Sequence, residues 1–314
     1  MIVMSIAPRR LALLAPLAAV PLVLAGCGSS AGADDGTLDV MASFYPLELI
    51  AEQVGGDRVS VRSVTPPGAE PHDVELSPAQ VARIDGADLV VYLSGFQAAV
   101  DDAVAQTSPD HVVDAASDTT LRAHEEEGHE DETAAEHEEH EHGDLDPHFW
   151  LDPSRMPAVV DDVAAALSEI DPDGADAYAV NAAALNQRFE ELDQAYASGL
   201  AQCETRTFVT SHDAFGYLAD RYDLRQVGIS GVDPDAEPSP ARLAQVEKLV
   251  RDEGVSTIFF ESLVSPKVAQ TLADDLGIDS AVLDPIEGVT NDGEDYFSLA
   301  EANLQALRMA LSCS

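Results

Sequence analysis

The chain has 314 residues, with 58 acidic side chains against 16 basic ones and a formal net charge of −42 at neutral pH. A surface of that sign repels phosphate backbones, which argues against nucleic acid as a partner. It attracts cations, although a uniformly acidic surface can serve solubility alone. With 46 % apolar residues, the chain has enough material for one large domain or for two lobes with cores of their own.

At the N-terminus, Arg9 and Arg10 precede the apolar run LALLAPLAAVPLVLAG, and Cys27 follows it. Basic residues, then apolar ones, then small ones describe an export signal over residues 1–26. The apolar run is shorter than the roughly 20 residues a spanning helix needs. The segment LAGC, ending at Cys27, resembles the lipobox of bacterial lipoproteins, which implies a lipid anchor on that cysteine. The Ser, Gly, Ala and Asp residues up to position 36 then read as a flexible tether. An ordinary secreted protein with an incidental Cys27 is the alternative. Export places Cys203 and Cys313 in an oxidising compartment, where a disulfide between them is the economical reading and two unpaired buried thiols the alternative.

Beyond the tether, short β-rich runs alternate with helical patterns. Residues 37–44, 58–64, 87–93 and 111–115 read as strands, with helices near 45–54, 78–84 and 96–106. The second half repeats the rhythm, with strands at 205–211, 224–229, 255–260 and 279–283 and helices near 213–222, 239–252, 266–276 and 295–311. Such alternation predicts an α/β fold of two similar lobes, each a four-stranded, mostly parallel sheet with flanking helices. Between the halves, Tyr178, Ala182, Leu185, Phe189, Leu192 and Tyr196 recur every three or four residues. That spacing predicts one long helix over residues 173–202, a spine joining an N-terminal lobe (37–172) to a C-terminal lobe (203–314).

The first half is interrupted by HEEEGHEDETAAEHEEHEH, residues 124–142, which carry His124, His129, His137, His140 and His142 among acids. The run lacks a periodic apolar face, so residues 123–143 are expected to be a disordered surface insertion. Imidazoles suit zinc and the carboxylates concentrate cations, but without preformed geometry the five histidines make weak, accessory sites. Four histidines remain. His72 follows the second strand, His148 lies in DPHFWLDP, and His212 lies where a strand gives way to a helix in VTSHDAFGYLA. Asp284 follows the last strand in VLDPIEG, whereas His111 precedes an apolar strand and reads as structural. Ligands of open α/β sheets bind beyond the carboxyl ends of the strands. His72, His148, His212 and Asp284 are therefore the expected metal ligands, two from each lobe.

At these residues the chain resembles a known family. The stretches EPHDVELSP, DPHFWLDP, SHDAFGYLADRYDL, GISGVDPDAEPSPARLAQVEKLV, IFFESLVSPKVAQTLADDLG and LDPIEG look like the ordered motifs of the zinc- and manganese-binding proteins of ABC importers. These are the cluster A-I solute-binding proteins, typified by zinc-uptake and adhesin-type lipoproteins, and the resemblance runs from about residue 38 to 312. It implies a lipid-anchored monomer on the outer face of the cytoplasmic membrane. One buried Zn²⁺ would sit between the lobes and pass to an ABC permease and its ATPase. Zinc-binding members often carry a His- and acid-rich loop just before the DPHxW segment, as here. Manganese-selective members tend to pair two His with two carboxylates, so His212 at the third position favours Zn²⁺, with Mn²⁺ a weaker competitor. A zinc-dependent hydrolase is the alternative from another class, with Glu261 or Glu237 as base, but the chain has no HExxH pattern. A zinc buffer or adhesin using the same residues is a third reading.

Overall fold

The computed structural model describes residues 36–117, 119–123, 145–291 and 293–314. The expected export signal, the Cys27 anchor, all of the tether but Gly36, and the five accessory histidines lie outside the described residues.

The first half builds a fully parallel sheet. Its strands are β1 (Leu38–Ala42), β2 (Val59–Ser63), β3 (Leu89–Tyr92) and β4 (Val112–Asp114), in spatial order β2-β1-β3-β4. The intervening helices are α1 (Tyr45–Gly55), α2 (Pro78–Asp85) and α3 (Ala98–Thr107). The second half repeats the plan with β7 (Thr207–Thr210), β8 (Arg225–Gly228), β9 (Thr257–Phe260) and β10 (Asp279–Val282), ordered β10-β9-β7-β8 and again all parallel. Helices α6 (Gly216–Arg221), α7 (Pro240–Glu253) and α8 (Lys267–Leu276) connect these strands, and α9 (Tyr296–Ala310) follows them.

The two-residue period of a strand sorts its side chains between layers. Val40 and Ala42 of β1 face one core with Phe44, Trp150 and Phe189, while Met41 between them faces a separate outer core with Ile84, Val90 and Val100. The second sheet does the same. Phe208 and Phe259 join the first core, and Val209, Val227 and Ile258 pack outward against Val246 and Leu272. Each sheet therefore has its own outer layer and shares one inner core with the other. Gly36–Ser314 form a single compact unit.

The predicted spine is α5 (Ala175–Gly199), 25 residues and about 37 Å long at 1.5 Å per residue. All six apolar positions of its stripe are buried. Near its start, Asn181 donates from Nδ2 to the Val54 carbonyl of α1 (2.9 Å). Near its end, the Tyr196 hydroxyl donates to the Ala300 carbonyl of α9 (2.6 Å) and its ring stacks on Tyr222. One helix thus packs against both halves of the chain.

A helix and a pair of short strands go beyond the predicted set. Helix α4 (Met156–Ile170) lies against α5 and α1 and buries Met156, Val159, Val160, Val163 and Leu167. Pro153 and Pro157 mask its start in the sequence, yet Pro157 falls in the first turn, where a missing N–H costs no helical bond. The short strands β5 (Arg122–Ala123) and β6 (Leu145–Asp146) pair antiparallel, so the two ends of the histidine-rich insertion meet.

Cys203 and Cys313 form a disulfide across 110 residues, tying the chain beyond α5 to the chain beyond α9. Closing a loop of that length restricts the unfolded chain by about 5 kcal/mol in the entropy model. The double variant C203S/C313S is therefore expected to unfold at markedly lower guanidinium concentration than the oxidised parent. Coincident denaturation curves would show that the crosslink does not restrict the unfolded chain.

Candidate metal centre

Four side chains from four separate loops converge where the two sheets turn their carboxyl ends toward each other. His72 comes from the segment between β2 and α2, His148 from the turn after β6, His212 from the turn after β7, and Glu287 from the segment after β10. One donor atom from each lies within 4.8 Å of all the others. The Glu287 Oε1 atom is 3.2 Å from His148 Nε2, 3.4 Å from His72 Nε2 and 4.0 Å from His212 Nε2. The two Nε2 atoms of His148 and His212 are 3.4 Å apart. Zinc–ligand bonds near 2.0–2.1 Å in a tetrahedron require edges of roughly 3.3 Å between donors. The donor set fits one small tetrahedral cation.

Each donor is held from behind. The Asp146 carboxylate sits 2.8 Å from His148 Nδ1 and accepts the His148 backbone N–H at 3.0 Å. Glu261 takes His212 Nδ1 and the Ser211 hydroxyl, and the His212 carbonyl accepts from Thr210 Oγ1 (2.6 Å) and Gln226 Nε2 (3.0 Å). With Nδ1 so occupied, both rings turn Nε2 inward, the arrangement that outer carboxylates impose on metal-binding imidazoles. Gly228, at the end of β8, lets the His212 turn pack closely, because a side chain there would collide with the Asp213 carboxylate and the Ser230 carbonyl. His72 is held differently. The Glu70 carboxylate accepts its backbone N–H (3.0 Å), Gln97 Nε2 donates to the Pro71 carbonyl (3.0 Å), and Phe96 meets its ring edge-on. At 14 % side-chain exposure, His72 is more open than the other three donors, which are at 0–1 %.

The Glu287 segment is pinned by both halves. Trp150 Nε1 donates to the Pro285 carbonyl (2.7 Å), and the Tyr296 hydroxyl donates to the Trp150 carbonyl. Trp150 is fully buried and lies two residues beyond His148, so one side chain sets the distance between that ligand and the opposing loop.

Of the four residues expected from the sequence, His72, His148 and His212 come together, and Asp284 stands outside the convergent group. Its carboxylate accepts the Ile286 N–H (2.8 Å) and the Ser262 hydroxyl, while Glu287, three residues on, fills the fourth corner. The sequence held a signal for this exchange. An Asp before Pro readily bonds the backbone N–H two residues ahead, which commits it to a turn and leaves the next acid free. Glu261 supports His212, Glu237 is exposed on a loop, and the His111 carbonyl accepts the Val90 N–H in the first sheet.

Burial works to lower the His148 pKa, but hydrogen bonds and charge from Asp146 and Glu287 outweigh it and push the imidazole up to about 9. Burial works to raise Glu287, yet hydrogen bonds from His148 and His72 and the charge of the imidazoles hold its carboxyl far below the usual range. A protonated imidazole against an ionised carboxylate thus offsets the charge where a cation fits.

The family described as zinc-uptake complex component A, periplasmic, matches residues 40–310. The chain belongs to that family. It is 38 % identical over 306 residues to the zinc-binding lipoprotein AdcA of Streptococcus pneumoniae, a match covering 94 % of this chain but 60 % of that longer protein. It is 36 % identical over 305 residues to the high-affinity zinc uptake system protein ZnuA of Bacillus subtilis, covering 94 % and 96 % of the two chains. The crystal structure of the Zn(II)-bound ZnuA-like domain of pneumococcal AdcA superposes with a TM-score of 0.73 at 36 % identity, covering 88 % of this chain and 99 % of that one.

The two shifts fix a pH dependence for the cation-free protein. A raised His148 pKa adds stability that is complete below about 6.5 and is lost as pH climbs through about 9. A lowered Glu287 pKa adds stability that is complete above its ordinary 4.5 and is lost in stronger acid. Chelator-treated protein is expected to melt highest between those limits and to lose Tm toward pH 9. A Tm that climbs from pH 6 to 9 would contradict the pairing.

Proposed function

We propose that the chain is the zinc-capturing component of an uptake system, binding one Zn²⁺ through His72, His148, His212 and Glu287 and delivering it to an ABC permease driven by its ATPase. The observation that carries the reading is the donor set itself: three inward Nε2 atoms and one carboxylate oxygen, all within 4.8 Å of one another and all but His72 fully buried. Three nitrogens and one oxygen favour Zn²⁺ over Mn²⁺, which prefers oxygen-rich octahedral shells. Catalytic zinc keeps one coordination position open for water. Glu287 occupies that position here, so the site suits carriage better than hydrolysis. The matching names of the relatives support the same cargo.

On this reading Cys27 bears the lipid that holds a monomer at the outer face of the cytoplasmic membrane. Residues 37–172 and 203–314 form the two lobes, and residues 173–202 supply the helix between them. His124, His129, His137, His140 and His142 gather zinc loosely beside the tight site.

Deleting residues 124–142 is expected to reduce the zinc stoichiometry to about one per chain and to leave the tightest affinity unchanged. H212A and E287A each remove a corner of the tetrahedron. They are expected to lower that affinity by more than the 10- to 100-fold typical of outer-shell changes. Calorimetric zinc titrations with a competing chelator separate the two effects. Tight binding that disappears with the deletion and survives both substitutions would reverse the assignment.

A further inference from the structure

We propose that Asp284 is a positioning residue: it locks Ile286 in a left-handed backbone conformation and so places the Glu287 carboxylate in the metal shell before the metal arrives. The inference rests on the zinc-site reading above and extends it to a residue that touches none of the four donors.

Ile286 has φ of +57°. A β-branched residue rarely occupies that region, because its Cβ crowds the backbone, and such outliers persist where the surroundings over-determine them. Asp284 supplies that determination. Its Oδ1 atom accepts the Ile286 N–H at 2.8 Å, and the Ser262 hydroxyl holds its other oxygen. Asp284 is itself anchored by a reciprocal pair with buried Asn303 of α9. The Asp284 N–H donates to Asn303 Oδ1 (2.8 Å), and Asn303 Nδ2 donates to the Asp284 carbonyl (2.6 Å). Trp150 holds the intervening Pro285 carbonyl, and the Ile286 side chain is buried. Each of the three residues before Glu287 is therefore held: Asp284 by Asn303 and Ser262, Pro285 by Trp150, and Ile286 by Asp284. With φ of Ile286 returned to the ordinary negative range, the chain direction at Glu287 changes and its carboxylate leaves the corner facing the Nε2 atoms.

The test uses the full chain and four variants, with Zn²⁺ affinity by chelator competition, the visible spectrum of the Co²⁺-loaded protein as a report on coordination geometry, and thermal melts to establish folding. D284A is expected to weaken Zn²⁺ by roughly 10- to 100-fold, the range for residues that orient ligands. Its Co²⁺ bands should shift toward those of E287A, which lacks the fourth donor. D284N keeps an Oδ1 acceptor for the Ile286 N–H and should retain the parental affinity and spectrum. D284A/I286G should regain most of the lost affinity, since glycine adopts positive φ without the steric cost. Equal losses in D284N and D284A, without recovery in the double variant, would make Asp284 a ligand or a required charge and overturn the proposal. An unchanged D284A would also overturn it. If E287A alone binds as the parent does, the zinc-site reading fails, whatever the Asp284 variants show. Should D284A not fold, the D284N comparison still decides between positioning and ligation.

Discussion

Four donor groups from loops far apart in the chain must lie within about one tetrahedral edge of each other, with no covalent link between them. Bringing three imidazoles and a carboxylate together in a buried space is unfavourable unless something offsets the lost hydration. In the cation-free protein a proton performs that office: an imidazole charged by Asp146 and Glu287 bonds the same carboxylate oxygen that would face the metal. A cation and a proton therefore compete for one position, and much of the remaining architecture holds the loops so that either can take it.

The frame that does this is a pair of parallel sheets whose strand ends point at a common space. Helices α2, α3, α7 and α8 cover the outer faces, while the inner faces share one core with α5. Because that core runs unbroken from Val40 to Phe259, the halves are not joined merely at a linker. Separating them would break the Trp150–Pro285 and Tyr196–Ala300 hydrogen bonds and expose aromatic surface around Phe189 and Tyr296. The site is correspondingly preformed, which reduces what must be ordered when a cation binds.

The legible parts of the sequence were those with a period or a motif. Fifteen runs of strand or helix pattern and the 25-residue spine stand where alternation and the three-to-four spacing put them. Cys203 and Cys313, the pair the sequence favoured, are bonded. Helix α4 escaped because two prolines and an Asp-Pro turn crowd its start, although Val159, Val163 and Leu167 carry the apolar spacing. The sequence singled out Asp284 where Glu287 joins the three histidines, because both lie in one short turn after a strand and strand-end position alone does not separate two such acids. What separates them is the Asp-Pro step at Asp284, whose carboxylate is taken by the Ile286 N–H.

The histidine-rich insertion raises a further constraint, because it ends three residues upstream of Asp146, which orients His148. An insertion so close to a ligand would disturb it if its two ends could move independently. They cannot. Ala123 pairs with Leu145 and Arg122 with Asp146, so the chain leaves and re-enters at adjacent ladder positions. The Tyr217 hydroxyl fastens the same junction, accepting the Arg122 N–H (2.9 Å) and donating to the Asp146 carbonyl (2.7 Å), and Arg122 pairs with Asp220 across α6. Once the ends of a loop are fixed, each doubling of its length adds only about 0.6 kcal/mol of closure entropy. The length and composition of the insertion can thus vary at little cost to the fold, and Asp146, bound into the ladder on one side and to His148 on the other, keeps the position of that imidazole from registering the change.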